Sequence, residues 1–195
     1  MIWRSVQSKP RCYDIATLFL DLGTEAISSQ TRNKTMLESL ILYFVYKTKG
    51  FITKTQLVKF LYLADLYSVK WTGKQLTELN WYYYNYGSWD EEIDTALKKL
   101  EGKISQQQLD NVTLIQVAGE LPEIDGFDFS EGLRLMLENI RKEWAGITND
   151  KIKELLNHVY STAPMVEAKA KYKPEDKARL NLQLEREKLI EELGV

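Results

Sequence analysis

At 195 residues, with 44% apolar and 28% charged residues, the chain suits one domain of ordinary size with a short appendage. A formal net charge of −2 gives no basic excess of the kind nucleic-acid binders use to neutralise phosphates. A single cysteine, Cys12, and a single histidine, His158, exclude an internal disulfide and leave zinc only a mostly carboxylate site.

No apolar stretch follows Met1-Ile2-Trp3-Arg4, so no signal peptide is read there. Residues Met1 to Arg11 read as a lead-in, and Cys12 to Leu22, closed by Gly23, as a short helix. The polar stretch Thr24 to Arg32 separates these from the main body. From Asn33 to Thr48, Met36, Leu37, Leu40, Ile41, Phe44 and Val45 fall at helical spacing. The run Leu40 to Tyr46 is apolar all round and alone could be a buried strand, but the polar turn before it and the total length favour a helix buried on most sides. That run is far short of the roughly 20 residues a bilayer crossing needs, so a soluble, cytoplasmic protein is expected.

Thr53-Lys54-Thr55-Gln56 is a capping box, opening a second mostly apolar helix that runs through Val69 and stops at Gly73. The two helices should pack as the centre of the domain. Trp81 to Tyr86 is an aromatic strand closed by Gly87. Ser88-Trp89-Asp90-Glu91 reads as another capping box, starting a helix with Trp89, Ile93, Ala96, Leu97 and Leu100 on one stripe. Lys103 to Leu109 and Val112 to Ala118 flank Asp110-Asn111 and form a β-hairpin, which the aromatic strand is expected to join in one small sheet. A helix capped by Asp128 carries Phe129, Leu133, Met136, Leu137, Ile140 and Trp144. Thr148 starts the next, with Ile152, Leu155, Leu156 and Val159 inward. Ser161 to Lys173 reads as a linker, and Pro174 to Val195 as a charged, solvated helix or partner arm.

Together these elements predict a mainly α fold (α+β): a buried central helix pair, a small antiparallel sheet or hairpin, and a charged C-terminal helix. The divisions are 1–32 for the lead-in and short helix, 33–160 for the domain, and 161–195 for linker and tail.

Lys59-Phe60-Leu61-Tyr62-Leu63-Ala64-Asp65, then Thr72-Gly73, Leu76-Thr77 and the strand ending Tyr86-Gly87, resemble the signature of the Panacea (SocA-like) antitoxin domain. The order of elements is similar from about Asn33 to Tyr160. The family commonly has proline after Tyr-Gly, where this chain has Ser88, a residue able to cap the following helix. The resemblance implies an antitoxin that neutralises a toxin encoded by a neighbouring gene through direct binding, or, as in the SocA case, an adaptor delivering it to a protease. It also implies frequent occurrence in phages and mobile elements.

Alternation places Tyr82, Tyr84 and Tyr86 on one face of the aromatic strand and Trp81, Tyr83 and Asn85 on the other. One face meets the core. The other is commonly covered by a loop or the tail; left open, Tyr82, Tyr84, Tyr86 and Trp89 are candidates for binding a protein partner. Asp65, set in an apolar face, must find donors, from amides of the Gly73 loop or a tyrosine hydroxyl, or else serve as a pocket acid. His158 near a helix end suits the helix dipole, Cys12 reads as a small buried hydrophobe, and Lys169, Lys171, Lys173 and Lys177 read as a solvated cluster.

No phosphate loop, nucleophile elbow or metal-binding spacing is present in the sequence, so no catalytic residue, cofactor or metal is assigned and a non-enzyme is expected. The rival reading is a winged-helix DNA-binding transcriptional regulator. Asp90, Glu91, Glu92 and Asp94 at the start of its would-be recognition helix speak against contact with phosphates.

Overall fold

A computed structural model of the protein describes residues 29–84, 87–119 and 127–194. The expected short helix Cys12 to Leu22 lies outside them. Helix α1 (Ser29–Lys47) takes in the last residues of the expected polar stretch. It carries Leu40, Ile41, Phe44 and Val45 into full burial, so the apolar run is helix and not strand. Lys49 and Gly50 (φ 55° and 73°) turn the chain into the short strand β1 (Ile52–Thr53).

The capping box then forms as read. Gln56 N–H donates to Thr53 Oγ1 and Thr53 N–H to Gln56 Oε1, each at 3.1 Å. This opens α2 (Lys54–Thr72), which closes on left-handed Gly73 (φ 75°). Every residue of α2 from Gln56 to Leu66 is buried. A helix buried on all sides needs partners all round. They are α1 and five later helices and strands, described next.

The strand β2 (Tyr82–Tyr84) pairs antiparallel with β3 (Gly87–Trp89), followed by the short helix α3 (Glu92–Lys99). The hairpin β4 (Ile104–Leu109) and β5 (Val112–Val117) turns at Asp110, which takes the left-handed conformation at φ 48°. Helices α4 (Glu131–Trp144), α5 (Asn149–Ser161) and α6 (Ala163–Lys171) follow. A 3₁₀ turn (Pro174–Asp176), the two-residue strand β6 (Ala178–Arg179) and α7 (Gln183–Leu193) complete the chain. Helices α4, α5 and α7, with β3 and β5, complete the surround of α2. The architecture is mainly α with a small β component, as the sequence predicts.

Among the described residues two separate three-stranded sheets form, ordered β1-β5-β4 and β3-β2-β6. The aromatic strand therefore does not join the hairpin. Its near edge is taken by the residues immediately following it, Gly87 to Trp89, and its far edge by β6 from the tail. In the other sheet, helix, short strand, helix, helix and hairpin follow in order, with the short strand on the second hairpin strand. That is winged-helix connectivity, interrupted by the aromatic sheet.

Three further local expectations are corrected. Ser88 lies in β3 and caps nothing; the Asp90 carboxylate instead accepts from Glu92 N–H (2.7 Å) at the start of α3. Ser130, not Asp128, caps α4, accepting from Leu133 N–H. Phe129 stays ahead of that helix, stacked on Phe127 (ring centroids 5.5 Å) and edge-on to Tyr43. Finally, most of the expected linker, Ser161 to Lys173, is α6, which buries Met165 and Ala168, and α7 lies against α2 instead of in solvent. Among the described residues no helix is long and apolar enough to cross a membrane.

Candidate functional site

The aromatic sheet is held to α2 by one buried acid. Asp65 Oδ1 accepts from the backbone N–H groups of Leu76 (3.0 Å) and Thr77 (2.9 Å). Its Oδ2 accepts from Thr77 Oγ1 (2.5 Å), Gln75 Nε2 (3.1 Å) and the Trp81 indole (2.9 Å). The loop-amide reading of Asp65 is therefore realised, with the indole in place of a tyrosine hydroxyl. Burial pushes its carboxyl above the usual range, and the donors pull the other way. Asp90 repeats the device further on, taking Asn80 N–H (2.5 Å) as well as Glu92 N–H. The segment between α2 and α3 is thus tied down at both ends by carboxylates.

Strand alternation then sorts the rings. Trp81 and Tyr83 are 2% and 7% exposed and face the core, where Trp81 meets Tyr62 edge-on at 5.4 Å. Tyr82, Tyr84 and Trp89 lie on the opposite face and are half-buried. Tyr82 stands opposite Trp89 in the register and opposite Arg179 on the other side. The Tyr84 and Trp89 rings are 5.7 Å apart. Three of the four candidate binding residues therefore share one surface, and Tyr86 lies outside the described residues.

Three further residues, none of them assigned to a binding site from the sequence, adjoin this surface. Lys177, held left-handed (φ 49°) just before β6, places its ammonium 5.1 Å from the Tyr84 ring centre and 5.3 Å from that of Trp89. It leaves the solvated cluster to which the sequence assigned it. Beneath Trp89, a pocket of about 310 Å³ reaches inward between α2 and β3 to Lys59 and Ser88. Lys59 is 4% exposed, and its Nζ donates to the Ser88 carbonyl at 2.7 Å. Desolvation lowers it from 10.5 to about 7. Ser88 is fully buried, and its Oγ is the one buried side-chain polar atom without a hydrogen-bond partner among the described residues. The only hint of this in the sequence is a lysine interrupting an apolar helix.

The remaining candidates resolve as structure. His158 Nε2 lies 2.8 Å from the Tyr67 hydroxyl, and its ring stacks on Trp144 at 4.9 Å. Burial lowers it below the usual histidine value, which favours a neutral packing ring over the dipole-stabilised cation expected from sequence. It lines an open apolar groove of about 490 Å³ with Trp71, Leu135 and Met136. Cys12 lies outside the described residues. Lys171 pairs with Glu167 at 2.6 Å, and Lys169 lies over the Tyr160 ring. Among the described residues, no group of three or more His, Cys, Asp or Glu side chains is placed to hold a metal.

The fold and site define a mainly helical domain that presents an aromatic, lysine-rimmed surface on a rigid sheet. Residues 57–186 match the family model of the antitoxin SocA-like Panacea domain, and the chain belongs to that family. No curated protein and no solved structure matches the chain. The family match runs through α6, β6 and the start of α7, the stretch in which the sequence reading placed a linker and a solvated arm.

Proposed function

We propose that this protein is an antitoxin that neutralises a partner toxin by direct association, with no catalysis of its own, and that the outer face of the aromatic sheet is its contact surface. The carrying observation is the half-exposed set Tyr82, Tyr84 and Trp89, fixed on a sheet pinned by Asp65, in a chain of the Panacea family. Rigid aromatics bind at low cost in side-chain entropy, and Trp and Tyr are the residue types that dominate interface energetics. Lys177 adds a cation directed at an acidic partner surface.

The test is co-expression with the product of the neighbouring gene. Wild type restores growth and binds the toxin, whereas the double variant Tyr84→Ala, Trp89→Ala keeps its melting temperature within a few degrees and loses rescue. Rescue by the double variant would move the contact surface elsewhere. Absence of a toxic neighbour, or of binding by wild type, would remove the antitoxin reading itself. A fall in toxin abundance on co-expression would mark delivery to a protease as the route, in place of simple masking.

The winged-helix connectivity supports a second reading, a DNA-binding regulator. Charge weighs against it. Helix α3 opens with Glu92 and Asp94, and the exposed hairpin from Ser105 to Asn111 carries no lysine or arginine. Phosphate neutralisation supplies most of the affinity of such proteins, and connectivity alone does not specify function. A salt-dependent gel shift with the protein's own promoter would restore this reading.

A further inference from the structure

We infer that the pocket between α2 and β3 is a carboxylate-binding slot, in which Lys59 and Ser88 receive an acidic side chain of the docked protein. That the bearer of the acid is a toxin rests on the function proposed above; the slot itself rests on the following geometry.

An ammonium carries three N–H donors. Lys59 uses one on the Ser88 carbonyl, and no carboxylate pairs with it among the described residues. A buried charge without a counterion is costly, and buried ionisable groups beside a cleft are where ligand sites concentrate. Ser88 also lines this pocket, and its buried Oγ lacks a partner. One ammonium and one hydroxyl suit the two oxygens of a carboxylate. No arginine lines the pocket, so it offers none of the guanidinium forks that hold phosphate bidentately.

The space is kept open by sequence. Gly87 has φ 116°, and a Cβ there would lie 3.1 Å from Lys59 Nζ and 3.5 Å from the Tyr160 hydroxyl. Tyr84 and Trp89, the rings proposed to meet the partner, line the same pocket, so a residue projecting from that partner would reach it beside them. The surrounding charge favours an anion. Lys177 covers the two rings, and Lys54 stands on the wall with its charge shared by Asp94 at 2.5 Å. This positive local field sits on a chain whose net charge is −2.

The bland reading is that Lys59 simply ties β3 to α2. Two experiments on the full chain separate the readings. In the first, sodium acetate is titrated into isotopically labelled protein against sodium chloride at equal ionic strength, with the Ser88 amide and Trp89 indole signals followed. A saturable shift with acetate in wild type, absent in Lys59→Met and reduced in Ser88→Ala, supports the slot. Equal responses in wild type and Lys59→Met, or none in wild type, overturn it, as does tighter binding of inorganic phosphate than of acetate.

In the second, the neighbouring-gene toxin is titrated against wild type and Lys59→Met, whose folding is checked by its melting curve. Removing one partner of a buried charge pair should weaken binding by about tenfold or more. Equal affinity would show that the toxin's acid does not enter the slot, while the antitoxin reading stands. If wild type binds no toxin but acetate still saturates, the slot survives and the proposed function falls.

Discussion

Asp65 and Lys59 lie six positions apart on α2, and each is almost fully enclosed, yet their environments differ in kind. Asp65 receives five hydrogen bonds from one loop and the indole beyond it, so its burial is fully compensated. Replacing it by alanine orphans those donors, and the expected loss is about 4 kcal/mol or more in urea unfolding at neutral pH. Asparagine turns an amide N–H₂ towards donors and should cost about 2–4 kcal/mol. A loss under about 1 kcal/mol for either variant would show that the loop is held by something else.

Lys59 has only one acceptor, and its ammonium is held from 10.5 down to about 7. Above pH 7 the unfolded chain keeps this proton while the folded chain releases it, so stability rises with pH from 7 towards 10.5. The full shift corresponds to about 5 kcal/mol at most. Thermal melts of wild type should therefore move upward between pH 7 and about 9.5. Buried Tyr43 and half-buried Tyr67, pushed up to about 12, titrate above this window, and His158 titrates below it. Lys59→Met should flatten the rise and melt higher than wild type at pH 7; an unchanged slope would place its origin elsewhere.

Among the elements, α2 is specified most completely by neighbouring residues. Thr53 and Gln56 satisfy each other's backbone donors at its start, and Gly73 terminates it in a conformation that costs other residues more. Thr53→Ala should lower unfolding free energy by about 1 kcal/mol without altering the circular-dichroism spectrum of the folded state. No measurable change in the denaturation midpoint would count against the box. By contrast, α3 begins three residues later than its sequence pattern indicates. Ser88 fits a cap and Glu91 fits its answer, but the edge of β2 recruited Gly87 to Trp89 first. Ladder pairing with a strand two residues away outcompeted one side-chain cap, and Asp90 took over the capping role.

For the whole molecule, the decisive feature is the closing of the tail over the front of the domain. Strand β6 pairs with β2, and Leu180 and Leu182 are buried beside Val69 and Trp81. Glu185 on α7 is buried too, accepting from Ala163 N–H at 2.8 Å and pairing with Lys70 at 3.4 Å. Deleting residues 173–195 should therefore abolish the cooperative unfolding transition and expose the Trp81 fluorophore to quenchers. A truncated protein that melts like wild type would restore the solvated-arm picture. The same tail delivers Lys177 to the Tyr84 and Trp89 rings, so the proposed binding face depends on residues nearly a hundred positions apart.

The helix pair, the box at Thr53, the stop at Gly73, the hairpin turn at Asp110 and the sorting of rings across the aromatic strand were all decided by the sequence alone. Each depends on interactions within a few residues or on the period of one element, which composition and spacing display directly. Tertiary structure alone decided which strands flank β2, that the charged tail belongs to the domain, and that Lys59 meets Ser88 at a pocket under Trp89. Those outcomes turn on which distant surface reaches an edge or a cavity, and a charged helix with a few leucines carries no local sign of the face it will bury.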